Sequence, residues 1–152
     1  MKKFVLNTII LFILVVLDQL LKLFFEKTRA VLDLGLVVLH LVTNTGASFG
    51  MLQGSNALLA WFSVIVLGII MINADKIKKE QILPVLLVVA GLLGNLLDRI
   101  SRGYVVDFVD FRFWPVFNLA DSLVVIGVIW LAFVILKSDL KENKKGKKTR
   151  KN

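Results

Sequence analysis

Five aspartates, Asp18, Asp98, Asp107, Asp110 and Asp121, are the residues of this chain best suited to chemistry. There is no cysteine, so thiolate attack, disulfides and Cys-ligated metals are excluded. A single histidine, His40, cannot build a multi-His zinc site, and it is the one candidate base for a Ser-His-Asp triad. Ser48 and Ser63 have no base near them in sequence, and His40 reads as a satisfied interfacial side chain. Carboxylate chemistry remains. Two acids held close share one proton; the ionised member can activate water while the protonated one polarises a carbonyl. Asp121 is well placed for this. In Asn118-Leu119-Ala120-Asp121-Ser122, Asn118 is a candidate N-cap, which puts Asp121 in the first helical turn. There the positive end of the helix dipole favours a carboxylate able to act as a base. The residues alone leave its partner open among Asp98, Asp107 and Asp110.

Other polar residues fall into short clusters that read as structural. Asp18 and Lys22 are four apart, so they share a helix face and can pair. Asn95 and Asp98 are three apart on another helix, with Arg99 and Arg102 available to compensate an acid at a helix C-terminus. Gly91 and Gly94 on that helix permit a close neighbour. Asn44-Thr45-Gly46-Ala47-Ser48-Phe49-Gly50 carries a turn signal whose small residues let backbone approach another segment. Asp75, Glu80, Asp139 and Glu142 sit among lysines and read as solvated surface.

The elements that must position these groups are membrane helices. The chain has 152 residues, 57% of them hydrophobic and 20% charged, with a mean hydropathy of +0.81. That excludes both a water-soluble globular domain and a disordered chain. Four segments approach the roughly 20 apolar residues that a helix needs to cross a bilayer: about 4–25, 57–72, 82–97 and 119–136. The first resembles a secretory leader, but no small-x-small site follows it, so it reads as an uncleaved span. Thirteen of the nineteen Lys and Arg (Lys2, Lys3, Lys76, Lys78, Lys79 and the eight of the tail) fall on one side if four spans are drawn. The positive-inside rule then puts both termini in the cytoplasm. All five aspartates gather near the outer surface, where a costly intramembrane acid marks function by default. A transporter would instead line a path through the bilayer, and the middle of each span lacks charge.

Two external connections follow. The first, about 26–56, has β-branched stretches that predict short strands on the membrane face. The second, about 98–118, carries Phe111, Phe113 and Trp114, aromatics suited to the interface. The predicted architecture is all-α with four transmembrane helices and a small extracytoplasmic β-rich element in the first external loop. It divides into a membrane domain, 1–136, and a basic cytoplasmic tail, 137–152, expected to be disordered. The tail carries +6 of the net +8. It reads as a cytoplasmic anchor beside anionic lipid rather than a nucleic-acid site.

Taken in order, Asp18-Gln19-x-x-Lys22, Asn44-x-Gly46-Ala47-x-Phe49, Gly94-Asn95-x-x-Asp98-Arg99, Gly103-x-Val105-Val106-Asp107-Phe108 and Phe117-Asn118-x-Ala120-Asp121-Ser122 resemble the motif set of the bacterial lipoprotein signal peptidases, signal peptidase II. The resemblance runs from the first span to the fourth. It departs at Ala90-Gly91-Leu92-Leu93-Gly94-Asn95, where the family often has Gly-Gly-Ala-x-Gly-Asn, a change on a packing helix. It implies an aspartyl endopeptidase of the bacterial inner membrane that needs no metal or organic cofactor. Its implied partners are membrane lipids and a prolipoprotein whose cysteine carries diacylglycerol, cut just before that cysteine. It implies Asp107 and Asp121 as the catalytic pair. Asp18, Lys22, Asn44, Gly46, Asn95, Asp98, Arg99, Asn118 and Ala120 are implied as binding or supporting residues. An oligomeric state does not follow from it.

Overall fold

A computed structural model of the chain describes residues 2–46 and 54–149, with side chains placed for 5–46, 54–138 and 140. It contains four helices, α1 (Lys2–Thr28), α2 (Asn56–Ile72), α3 (Ile82–Ser101) and α4 (Leu119–Thr149). Three strands, β1 (Leu32–Asp33), β2 (Val38–Asn44) and β3 (Val105–Asp110), form one sheet. Two single 3-10 turns, Ala74–Lys76 and Lys79–Gln81, join α2 to α3. Ala47, Ser48 and Phe49 of the expected turn lie outside the described residues.

The segments Val5–Thr28, Lys79–Ser101 and Leu119–Ser138 are long and apolar enough to cross a membrane. α2 is apolar but has 17 residues. Large apolar side chains such as Phe12, Leu20, Trp61, Ile129 and Phe133 point outward from these helices. A surface of that extent demands apolar surroundings. α4 runs through the basic segment to Thr149 instead of ending near 136, so the tail expected to be disordered is helical as far as that residue. Lys and Glu are good helix formers, and extending an existing helix needs no new nucleus.

α3 is the hub of the bundle. It packs on α1, α2 and α4, while among the described residues α2 and α4 do not pack on each other. Its buried residues Pro84, Val88, Gly91, Asn95 and Asp98 recur at spacings of four and three, one continuous helix face. Glycine sets the closeness of α3 and α4. A Cβ on Gly91 would overlap the Ala120 carbonyl oxygen and Val124; one on Gly127 would lie 2.7 Å from Val88 Cγ2. α1 buries Asp18, Lys22 and Phe25, again one face at spacings of four and three.

The sheet is antiparallel in the order β1-β2-β3. Its third strand follows α3, so the β element, expected in the connection between the first two helices alone, also draws on the one between the last two. β3 was hidden in sequence because Val105 to Phe108 are all buried, which removes the alternation that marks a half-buried strand. Phe108 stacks on Phe25 of α1 with ring centroids 4.8 Å apart. One irregularity matters for the site. β2 pairs Leu39 with Val109 but Val42 with Asp107, so it holds one extra residue between these pairs. A one-residue change of register exchanges the faces of a strand. The bulge therefore puts Asn44 on the Asp107 face; without it Leu41 would stand opposite Asp107.

Candidate active site

Asn118 begins the site. Its side-chain Oδ1 accepts from the Asp121 N–H at 2.9 Å, and Asp121 Oδ2 accepts from the Asn118 N–H at 3.2 Å. This is a reciprocal cap of the kind the sequence predicts, with an aspartate in place of the usual glutamate. The Asn118 amide then does a second job. Its Nδ2 donates to Asp107 Oδ1 at 2.7 Å and approaches Asn95 Oδ1 at 3.1 Å. One fully buried residue thus grips Asp107 from β3 and Asp121 from α4.

Each carboxylate has a further amide partner. Asn44 Nδ2 donates to Asp107 Oδ2 at 2.9 Å. Asn44 is itself oriented by the Gly46 N–H, 2.9 Å from its Oδ1. Asn95 Nδ2 donates to Asp121 Oδ1 at 2.7 Å. Asp107 is 2% exposed. Its carboxyl is pushed up to about 7, first by burial and then by the neighbouring Asp121 charge, against the opposing pull of Asn44, Asn118 and Lys22. Near neutral pH this group carries a proton for much of the time, which two neighbouring carboxyl groups need if they are to share one.

Behind the asparagines lies a buried ionic network. Lys22 Nζ sits 2.8 Å from Asp18 Oδ2, 3.0 Å from Asp98 Oδ2 and 2.9 Å from Asn95 Oδ1, and all three charged groups are fully buried. Removing one partner of such a cluster costs about 3–5 kcal/mol, because an unpaired charge is left in the interior. The network reaches the site through backbone. Asp18 Oδ1 accepts from the Ala120 N–H at 2.9 Å, next to Asp121, and Asp98 Oδ2 accepts from the Val106 N–H at 3.1 Å, next to Asp107. Ala120 faces Gly94, whose added Cβ would lie 3.1 Å from the Ala120 Cβ, so both must stay small.

The structure therefore brings together Asp18, Lys22, Asn44, Gly46, Asn95, Asp98, Asp107, Asn118, Ala120 and Asp121. Two expectations change. Asp98 is compensated by Lys22 and Arg102, with Arg102 Nη1 on Asp98 Oδ1, rather than by Arg99 and Arg102 together. The Arg99 side chain instead donates to the Asn95 carbonyl at 3.4 Å and lines a cavity shared with Asp121. Asp110, an open candidate from sequence, is turned away. It accepts from the Arg112 N–H and contacts His40 Nε2 at 3.2 Å. These two hydrogen bonds hold it below the usual carboxylate range. His40 thus has its partner, as read.

Sequence reasoning missed a strut outside this cluster. Arg102 Nε reaches Glu26 Oε2 at 3.0 Å, and Tyr104 donates its hydroxyl to Glu26 Oε1 at 2.8 Å. Gln19 joins it, donating to Asp98 Oδ1 at 3.0 Å and accepting from Arg102 at 3.2 Å. Arg102 and Tyr104 flank Gly103, which turns at φ +80 into β3. The contacts span about eighty positions of sequence, so no local spacing announced them.

Asp121 opens onto a cavity of about 570 Å³ in the gap between α2 and α4. α3 supplies its floor with Leu92, Asn95 and Arg99, and Trp114 to Phe117 form its outer edge. Apolar walls with a few convergent polar groups are the usual form of a ligand site.

Residues 10–137 match the sequence profile described as signal peptidase (SPase) II. The chain belongs to the signal peptidase II family. A lipoprotein signal peptidase of Halothermothrix orenii is 41% identical over 138 residues, covering 86% of this chain and 95% of the relative. One from Pelotomaculum thermopropionicum is 43% identical over 112 residues, 70% of this chain and 72% of the relative. A solved bacterial membrane enzyme, obtained by the in meso method at 2.3 Å, superposes with a TM-score of 0.81 at 28% identity, covering 88% of each chain. Membership of this signal peptidase family makes the chain a bacterial membrane protease.

Proposed function

We propose that this protein is a membrane aspartyl endopeptidase that removes the signal peptide from diacylglyceryl-modified prolipoproteins, cutting just before the lipidated cysteine. Asp107 and Asp121 are its catalytic pair. One observation carries the reading: both carboxylates are held by Asn118, beside an apolar cavity. In the reaction, the ionised member of the pair takes a proton from a water between them. The protonated member hydrogen-bonds the scissile carbonyl oxygen as water attacks the carbon. The tetrahedral diol collapses when the leaving nitrogen receives a proton, and the peptide bond breaks into a carboxyl and an amine. The pair titrates as a unit, so neither acid is assigned a fixed role. Asn44, Asn95 and Asn118 keep the carboxyl oxygens aimed, and Asp18, Lys22 and Asp98 fix the backbone next to each acid. Arg99 offers donors to the peptide main chain in the cavity.

α2 serves as the fourth span, with both termini cytoplasmic and the site near the outer surface of the bacterial cell membrane. The mixed charge distribution and the depth shared by the aspartates support this placement. Residues 1–136 form the catalytic unit. Lipid-modified precursor incubated with the purified protein yields a shortened product, and unlipidated precursor does not. Asp107→Asn and Asp121→Asn each lower the rate at least about a thousandfold while the protein still accumulates in the membrane. Near-normal cleavage by either variant overturns the pair.

A further inference from the structure

The wall of the site cavity continues down α4. Ile126 lines the 570 Å³ cavity and also a second, apolar groove of about 440 Å³, completed by Ile129, Trp130 and Phe133. Spacings of three, four and seven put these four residues on one helix face. The cavity can extend this way because α2 and α4, among the described residues, do not pack together. Two features set this face apart from ordinary lipid-facing surface. It is continuous with the site through a shared residue. It also carries a tryptophan where tryptophan is uncommon. Trp130 lies eleven residues below the start of α4, about 16 Å at 1.5 Å per residue, near the middle of a core about 30 Å thick. Tryptophans of membrane proteins gather instead at the two interfaces.

We infer that the groove formed by Ile126, Ile129, Trp130 and Phe133 receives an acyl chain of the substrate's own lipid. The inference rests on the lipid-modified substrate proposed above. From Asp121 to Trp130 the track falls nine residues, about 14 Å, close to the thickness of one leaflet. An acyl chain on a cysteine beside Asp121 would hang to that depth. The flat indole would hold it by dispersion, contact that a thin bundle of mobile lipid tails supplies less well. The groove thereby fixes how far the cysteine enters the site, and with it which peptide bond meets the two acids.

The test uses the purified full chain and precursor peptides bearing either two hexadecanoyl or two hexanoyl chains. The hexanoyl chains are too short to reach Trp130. Wild-type protein has a lower KM for the long-chain precursor. Trp130→Ala raises that KM about tenfold and the short-chain KM less than twofold. Val128→Ala, exposed on α4 and away from the groove, leaves both within twofold. Equal KM values of the wild type for the two precursors overturn the groove, as do equal effects of Trp130→Ala on both. In either case cleavage of both precursors continues, so the proteolytic reading stands. Failure of the wild type to cut any lipidated precursor removes that reading and the groove with it.

Discussion

The Asp107 carboxyl holds its proton up to about pH 7 in the folded chain, against about 3.8 in a solvated one. Between those values the native state binds a proton that the unfolded chain has lost, so stability falls as pH rises through this window. Above it, the whole cost of a buried charge remains. Asp107→Asn therefore raises the melting temperature at pH 8 and leaves it nearly unchanged at pH 3.5, which scanning calorimetry of the solubilised protein checks. An equal effect at both pH values would show that burial of this carboxyl is not what shifts it. Activity falls in the same direction. The proposed pair needs one proton, so the rate of precursor cleavage falls about tenfold per pH unit above 7. The types of these two residues, and the cap that holds one of them, were legible in sequence. The residues alone left Asp98, Asp107 and Asp110 open as the partner of Asp121, and only the family resemblance singled out Asp107. Asp110 goes to His40 and Arg112, and Asp107 to Asn44 and Asn118, because of strand pairing and the bulge.

Among the elements, α3 and α4 carry the most consequential contact. The α4 start presents Asp121 while the α3 face behind it presents Asn95, and Gly91 and Gly94 let the two helices approach. Gly91→Val would force the Ala120 carbonyl and Val124 away. Backbone cannot yield there as a flexible side chain does, so the variant costs about 1–3 kcal/mol through overpacking. Thermal unfolding in detergent shows the drop. Cleavage falls further than the loss of folded protein accounts for, because Ala120 adjoins Asp121. A variant with unchanged melting temperature and rate would mean that the helices can separate freely. The helix faces were readable from the four-and-three spacing. β3 was not, because a strand covered on both sides shows an unbroken apolar run, and neither was the Glu26, Arg102 and Tyr104 strut, whose members meet only after α1 and α3 pack.

For the whole molecule, topology is open to a direct test, since the chain contains no native cysteine. A single cysteine at Leu34, on the exposed β1–β2 turn, reacts with a membrane-impermeant thiol reagent on intact cells or spheroplasts. One at Ser138, at the far end of the α4 span, reacts only after the membrane is opened. Labelling at Ser138 but not at Leu34 from outside would reverse the proposed orientation, and labelling of both would contradict three spans between them. Hydropathy, charge asymmetry and the order of the polar clusters were enough to establish a membrane bundle, its family and the residues worth asking about, because bilayer thickness and the cost of intramembrane charge act on local stretches of chain. Which polar groups meet was decided only in three dimensions. Lys22 takes Asp98 as well as Asp18, Arg99 leaves Asp98 for the cavity, and one asparagine joins the two acids, since each of these pairings depends on how α1, β3 and α4 are gathered around α3.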